Sequence, residues 1–234
     1  KTLIAAAVAT VASTAAMADV TVSGQVKYTL TDTANSTSDW SPASDNEITV
    51  KSSEDLGNGL TTFAQITLDV DADNDAAGAG EKDAKLGIKG GFGTLVMGRM
   101  EYLVTGAFSS KMDDGSGKTE STQTALGRAN AVAYVSPTVN GLHVAAAGSN
   151  DAAADMFTNK EVLAVYSNGP LSVMASHVDV KDTQAMNSLY ASYAIGDAKI
   201  SAMTVDTDYD AAATTDLRDN IIRLDYTMGN NSLL

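Results

Sequence analysis

Carboxylates are the side chains best able to do chemistry in this sequence, and they gather in two stretches. One is Asp69-Val-Asp-Ala-Asp-Asn-Asp75; the other is 101–127, which holds Asp113, Asp114 and Glu120 beside Lys111 and Lys118. The first invites a calcium reading, because hard cations take carboxylate oxygens. An EF-hand loop needs Gly at its sixth position and Glu at its twelfth. Counted from Asp69, those positions hold Asn74 and Gly80; counted from Asp71, they hold Ala76 and Lys82. Both registers fail, so a plain acidic loop is expected, with adventitious divalent binding by its carboxylates as the alternative. Gly93-Thr-Leu-Val-Met-Gly98 has the glycine spacing of a phosphate loop, but Arg99-Met100 stand where Lys and Ser or Thr are required. His143 and His177 lie in separate strand segments, with no Ser-His-acid set and no metal-ligand spacing. They read as wall residues. Neither an enzymatic activity nor a cofactor is expected.

The elements that must position the acids follow from periodicity. Residues 2–18 carry no charge, Lys1 precedes them, and Ala16-Met17-Ala18 is a small-x-small cleavage site, so 1–18 reads as an export signal. It is short for a membrane-spanning helix, which needs about 20 residues. After it, Val20, Val22, Gly24, Val26, Tyr28 and Leu30 alternate with Thr21, Ser23, Gln25, Lys27, Thr29 and Thr31. Similar segments are predicted at about 45–53, 60–70, 83–90, 94–100, 128–135, 142–149, 160–167, 171–179, 187–195, 198–206 and 218–227, with another starting at 232. Ile66, Leu68, Leu86 and Ile88 fall on the apolar face; Gln65, Lys51, Lys85 and Lys89 fall on the polar one. The connections alternate too. Those at 32–44, 71–82, 101–127, 150–159, 180–186 and 207–217 are long and polar. The others are turns built on Asn58-Gly59, Gly90-Gly91, Asn140-Gly141, Asn168-Gly169, Gly196-Asp197 and Gly229-Asn230. Apolar-out, polar-in strands with long loops at one end and short turns at the other describe an all-β, antiparallel transmembrane barrel. Residues 19–234 form that domain.

Composition agrees. The net charge is −14, and −15 over 19–234 once Lys1 is removed. That acidity opposes nucleic-acid binding and suits a lumen that attracts cations. There are no cysteines and only three prolines. Stability without disulfides is available to a closed hydrogen-bonded sheet, and few prolines suit paired strands.

Several segments resemble the general (diffusion) porins of Gram-negative bacteria. Ser53-Glu-Asp-Leu-Gly-Asn-Gly-Leu-Thr-Thr-Phe-Ala-Gln65 is similar to the family's first periplasmic turn. Lys85-Leu-Gly-Ile-Lys-Gly-Gly-Phe-Gly-Thr-Leu-Val-Met-Gly-Arg99 is similar to its fourth and fifth strands, and Arg128–Leu142 to its sixth strand and turn. The resemblance implies a homotrimer of 16-stranded barrels, each an aqueous pore narrowed by its third loop. That loop would be 101–127, bringing Asp113, Asp114 and Glu120 to the constriction; without the resemblance the same run reads as a solvated loop. A basic wall is implied opposite. Arg99, Lys51 and Arg128 match family cations and Lys27 is an added inward candidate, whereas Gln25, Glu47 and Ala133 stand where relatives often carry positive charge. About twelve strands and the start of a thirteenth are present. The chain begins at Lys1 without Met and ends at Leu234 rather than on an aromatic residue, so it reads as a fragment.

The expectation is an outer-membrane porin passing ions and small hydrophilic solutes, with preference for cations. Its surroundings would be outer-membrane lipid and lipopolysaccharide. The alternatives are a structural or adhesive surface barrel with a closed lumen, and a barrel hydrolase.

Overall fold

The computed structural model describes residues 19–31, 41–44, 46–70, 80–108, 111, 127–150, 157–210, 215–228 and 231–233. Residues 1–18, expected to be an export signal, lie outside them, as do Asp113, Asp114 and Glu120 and the acidic stretch 71–79.

The chain is built from β1 (Asp19–Gln25), β2 (Tyr28–Thr31), β3 (Ser41–Ser44), β4 (Glu47–Gly57), β5 (Leu60–Asp69), β6 (Gly80–Gly90) and β7 (Gly93–Glu101). A short helix α1 (Leu103–Phe108) follows. Then come β8 (Arg128–Val135), β9 (Leu142–Asn150), β10 (Asn159–Asn168), β11 (Leu171–Val180), β12 (Gln184–Ile195), β13 (Ala198–Tyr209), β14 (Leu217–Met228) and β15 (Asn231–Leu233). Among the described residues, thirteen strands form one sheet in the order β1, then β4 to β15, each antiparallel to its neighbour. β2 and β3 form a separate two-stranded ladder. Strands of 10 to 12 residues such as β10, β11, β12, β13 and β14 are long enough to cross a bilayer at a tilt, which takes about 9–11 residues. This is the sheet of a transmembrane β-barrel. Among the described residues it is open, with β1 and β15 as its edges.

Tight turns fix the register at one end. Asn58 and Gly59 have φ of 53° and 75°, and Asn140 and Gly141 have 50° and 84°. Two successive positive φ values give the twist that matches a right-handed hairpin, and Asn-Gly reaches them at least cost. At the other end the structure departs from expectation twice. The connection expected over 180–186 is the three-residue turn 181–183, because Gln184 to Met186 already pair with β11 and β13. The first strand, expected over 20–31, breaks after Gln25, and its continuation pairs with Ser41–Ser44 inside the stretch expected to be loop.

The register sorts the two faces. Val22, Ile66, Leu86, Val162, Leu189, Ile222 and Leu224 are exposed on the outer face. Tyr134, Tyr166, Tyr193 and Tyr226 also occupy outward rows, each two or three residues before a short turn. Rings that are apolar in body and polar at the tip suit a membrane interface. The Tyr134 hydroxyl donates to the Phe92 carbonyl at 2.6 Å, and Asn168 Nδ2 donates to the Tyr166 hydroxyl at 3.1 Å.

The inner face differs from the polar wall expected. Over β1 to β6 it is polar, with Thr21, Ser23, Thr49, Lys51, Gln65, Thr67 and Lys85 in matching rows. Over β9 to β13 it is largely apolar: Ala145, Leu163, Met174, Val178, Met186, Tyr190, Met203 and Val205 form one buried cluster with Val104 and Phe108 of α1. The physical reason is that the chain leaving β7 turns inward, so this half of the wall packs against protein. Burying apolar surface there is favourable in the way of any core.

Candidate functional site

The site expected from the sequence is a narrowing inside the barrel, and its framework begins where β7 ends. Tyr102 and α1 leave the rim and lie along the inner wall. Val104 and Phe108 are fully buried there. The Tyr102 amide reaches back to the Gly127 carbonyl at 3.4 Å, so the two ends of the connection stay close at its stem. The stretch carrying Asp113, Asp114 and Glu120 follows α1 in the chain.

Two residues of β10 receive this segment. Glu161 points inward and is almost wholly buried. Its Oε1 accepts the Leu103 amide at 3.0 Å and its Oε2 accepts the Val104 amide at 3.1 Å. A carboxylate meeting the first free amides of a helix satisfies donors that have no partner within the helix. Asn159, also buried, donates from Nδ2 to the Tyr102 hydroxyl at 3.0 Å and accepts the Lys181 amide on Oδ1 at 3.2 Å. Ser149 Oγ donates to the same hydroxyl at 3.4 Å.

On the polar half of the wall the cations sit with carboxylates. The ladder between β5 and β6 shifts at Thr67 and Leu68, whose partners are Asp83 and Glu81, leaving Lys82 as the extra residue of a bulge. A bulge re-aims the side chain that it carries, and Lys82 Nζ lies 3.0 Å from Glu47 Oε2. Asp83 takes two cations, Arg128 Nε at 3.0 Å and Lys85 Nζ at 3.5 Å. Further round, Asp225 faces Arg223 Nε at 2.6 Å and Lys199 Nζ at 3.4 Å.

The residues singled out from the sequence therefore separate. Glu47 and Arg128 join these pairs, and Lys51 shares their face by its register with Gln65 and Thr21. Lys27 follows the end of β1, exposed, its amide donating to Asn46 Oδ1 at 3.1 Å. Arg99 stands in the row of Ala84 and Asn130, which continues outward-facing Ile66, so the register sets it apart from the inward pairs. Ala133 faces inward and is buried. His177 is outward and meets Asn187 at 2.8 Å, while His143 lies in the inward row of Val165. Among the described residues no cluster of three potential metal ligands occurs. Sequence reasoning missed Asp83, Asp225 and Glu161. For Glu161 a signal existed: it is a lone carboxylate whose same-face neighbours, Leu163 and Val165, are apolar.

A profile of Gram-negative porins matches residues 5–234. No curated protein matches the sequence significantly. Several solved structures share the fold. In vitro folded OmpT of Vibrio cholerae, an outer-membrane protein in its trimer form, aligns with a TM-score of 0.71 at 15% identity, covering 91% of this chain and 74% of that one. An anion-selective porin from Comamonas acidovorans aligns at 0.64 with 20% identity, covering 91% and 75%. Salmonella typhi OmpF in complex with daunomycin aligns at 0.62 with 16% identity, covering 91% and 75%.

Proposed function

From the premise that this chain belongs to the Gram-negative porin family, pore-forming proteins of the outer membrane, we propose that it passes ions and small hydrophilic solutes down their gradients and prefers cations. It is exported by residues 1–18, assembles as a homotrimer in contact with lipopolysaccharide, and needs neither cofactor nor turnover. The observation that carries the reading is the inward course of the chain after β7. The first residues of this connection, Tyr102 to Phe108, seat on the inner wall, which supports the reading that the following Asp113, Asp114 and Glu120 narrow the lumen with acidic side chains. Arg128 and Lys51 with Glu47 line the wall that solutes pass, and Lys27 and Arg99 add positive charge nearer the rims.

The Comamonas structure is described as anion-selective, and at that identity it bears on fold alone. Selectivity belongs to side chains, and here Glu47, Asp83 and Asp225 offset the wall's cations while residues 19–234 carry −15. The apolar half-wall supports one competing reading, a barrel that is filled and serves as a surface scaffold. Single-channel recording of the purified full-length protein in planar bilayers separates the two. Stepwise ohmic conductance with a reversal potential on the cation side is expected. A membrane-inserted oligomer that never conducts would establish the filled barrel.

A further inference from the structure

We infer that Glu161 is a positioning residue: its carboxylate latches the start of the inward segment to β10 and thereby fixes the aperture that this segment defines. The inference rests on the channel reading and adds to it the group that holds the constriction in place.

The segment leaves β7 but is fastened on β10, three strands away, which is about 14 Å along the sheet at ~4.8 Å per strand. Three consecutive residues are held there by two alternate residues of one strand. Tyr102 is held through its hydroxyl by Asn159, and Leu103 and Val104 through their amides by Glu161. Both carboxylate oxygens are engaged, so the contact resists rotation as well as displacement. Asn159 is itself tied to the 181–183 turn through the Lys181 amide, which joins the latch to the rim. Beyond it, Val104 and Phe108 enter the apolar cluster of Leu163, Met174 and Val178.

Apolar burial is non-directional and would tolerate sliding of α1 along the Met- and Val-rich surface. The short directional contacts at its start are those of Glu161 and Asn159, with Ser149 and the Gly127 carbonyl adding longer ones to Tyr102. Without the carboxylate, the buried Val104 amide and the half-buried Leu103 amide lose their acceptor, which favours movement of the helix start towards water. The residues that follow, Asp113 and Asp114 among them, would then no longer have a fixed origin.

The test uses the full-length protein in membranes. Glu161→Gln keeps the volume but replaces one of two acceptor oxygens with a donor facing an amide. Hydrogen exchange, followed by mass spectrometry on the peptide spanning 102–108, is expected to accelerate by about tenfold or more, since a hydrogen bond to a charged group is worth that factor. Open-channel noise and sub-conductance dwell should rise in the same variant while the heat-resistant oligomer persists. Tyr102→Phe removes the second fastening and leaves Glu161 in place, so it should give a smaller change in both readouts and serves if the first variant assembles poorly. Unchanged exchange in Glu161→Gln overturns the latch. Accelerated exchange with an unaltered current overturns its control of the aperture. A wild-type protein that never conducts fails the channel reading itself, and the exchange result still decides whether Glu161 holds the segment.

Discussion

Single side chains in this protein act through where the strand geometry aims them. Gly98, in β7, has φ of 127°, a backbone conformation that side-chain-bearing residues rarely adopt, and a Cβ there would run into the Ala84 carbonyl of β6. Gly98→Ala should therefore lower stability by ~2 kcal/mol or more, from strain of about 1–3 kcal/mol plus the collision. Urea titration of the protein in vesicles reads this out, and an unchanged midpoint would contradict it. The sequence showed this glycine in a discarded phosphate-loop spacing and in the porin-like segment 85–99, but not its backbone conformation, since φ is not written in residue type. Charged residues were legible to the same partial degree. Alternation placed Lys51 and Lys85 inward correctly. It could not show that Lys82 would join them, because Lys82 is the inserted residue of a bulge, nor that Asp83 would meet Arg128 from a strand 45 residues away.

Elements were read more securely than residues, because period-2 alternation and Asn-Gly turns state the same architecture independently. The predicted strand at 128–135 has the observed bounds, and the segments predicted near 60–70, 171–179 and 198–206 start where expected and end at Asp69, Val180 and Tyr209. What alternation did not show was the composition of the inner face. In β11 the inward residues are Ser172, Met174, Ser176 and Val178 and the outward ones Val173, Ala175 and His177, so both faces carry apolar side chains. Which face meets lipid depends on α1, a six-residue helix too short for periodicity to announce. The face assignment is open to direct measurement. With cysteine placed singly at positions 65 and 66 of the otherwise cysteine-free protein, a thiol reagent confined to water should label 65 and leave 66 unlabelled in membranes. Gln65 shares the inward row of Lys51 and Lys85, while Ile66 is half-exposed on the outer face. Labelling of 66 with 65 protected would reverse the two faces.

At the scale of the whole molecule the question is where the net charge resides. On the wall the cations largely meet carboxylates: Lys82 with Glu47, Lys85 and Arg128 with Asp83, Lys199 and Arg223 with Asp225. Charges paired at such distances nearly cancel a few ångströms away, so the wall supplies little net field along the axis. The excess of −15 over residues 19–234 must then act mainly from the connections, where carboxylates such as Asp73, Asp75, Asp113 and Asp114 outnumber cations. Loop charges that face water are screened over about 10 Å at 0.1 M salt, whereas charges in a narrow passage are screened less. These two cases make different predictions. If the inward segment carries selectivity, neutralising Asp113 and Asp114 together should reduce the cation preference of the full-length pore at both low and high salt. Neutralising Asp73 and Asp75 should reduce it only at low salt. Reversal potentials in a salt gradient, taken at 0.1 M and again near 1 M, distinguish them. Anion preference in the unaltered protein would refute the cation reading, and equal effects of the two double variants at both salts would remove the constriction role from 101–127.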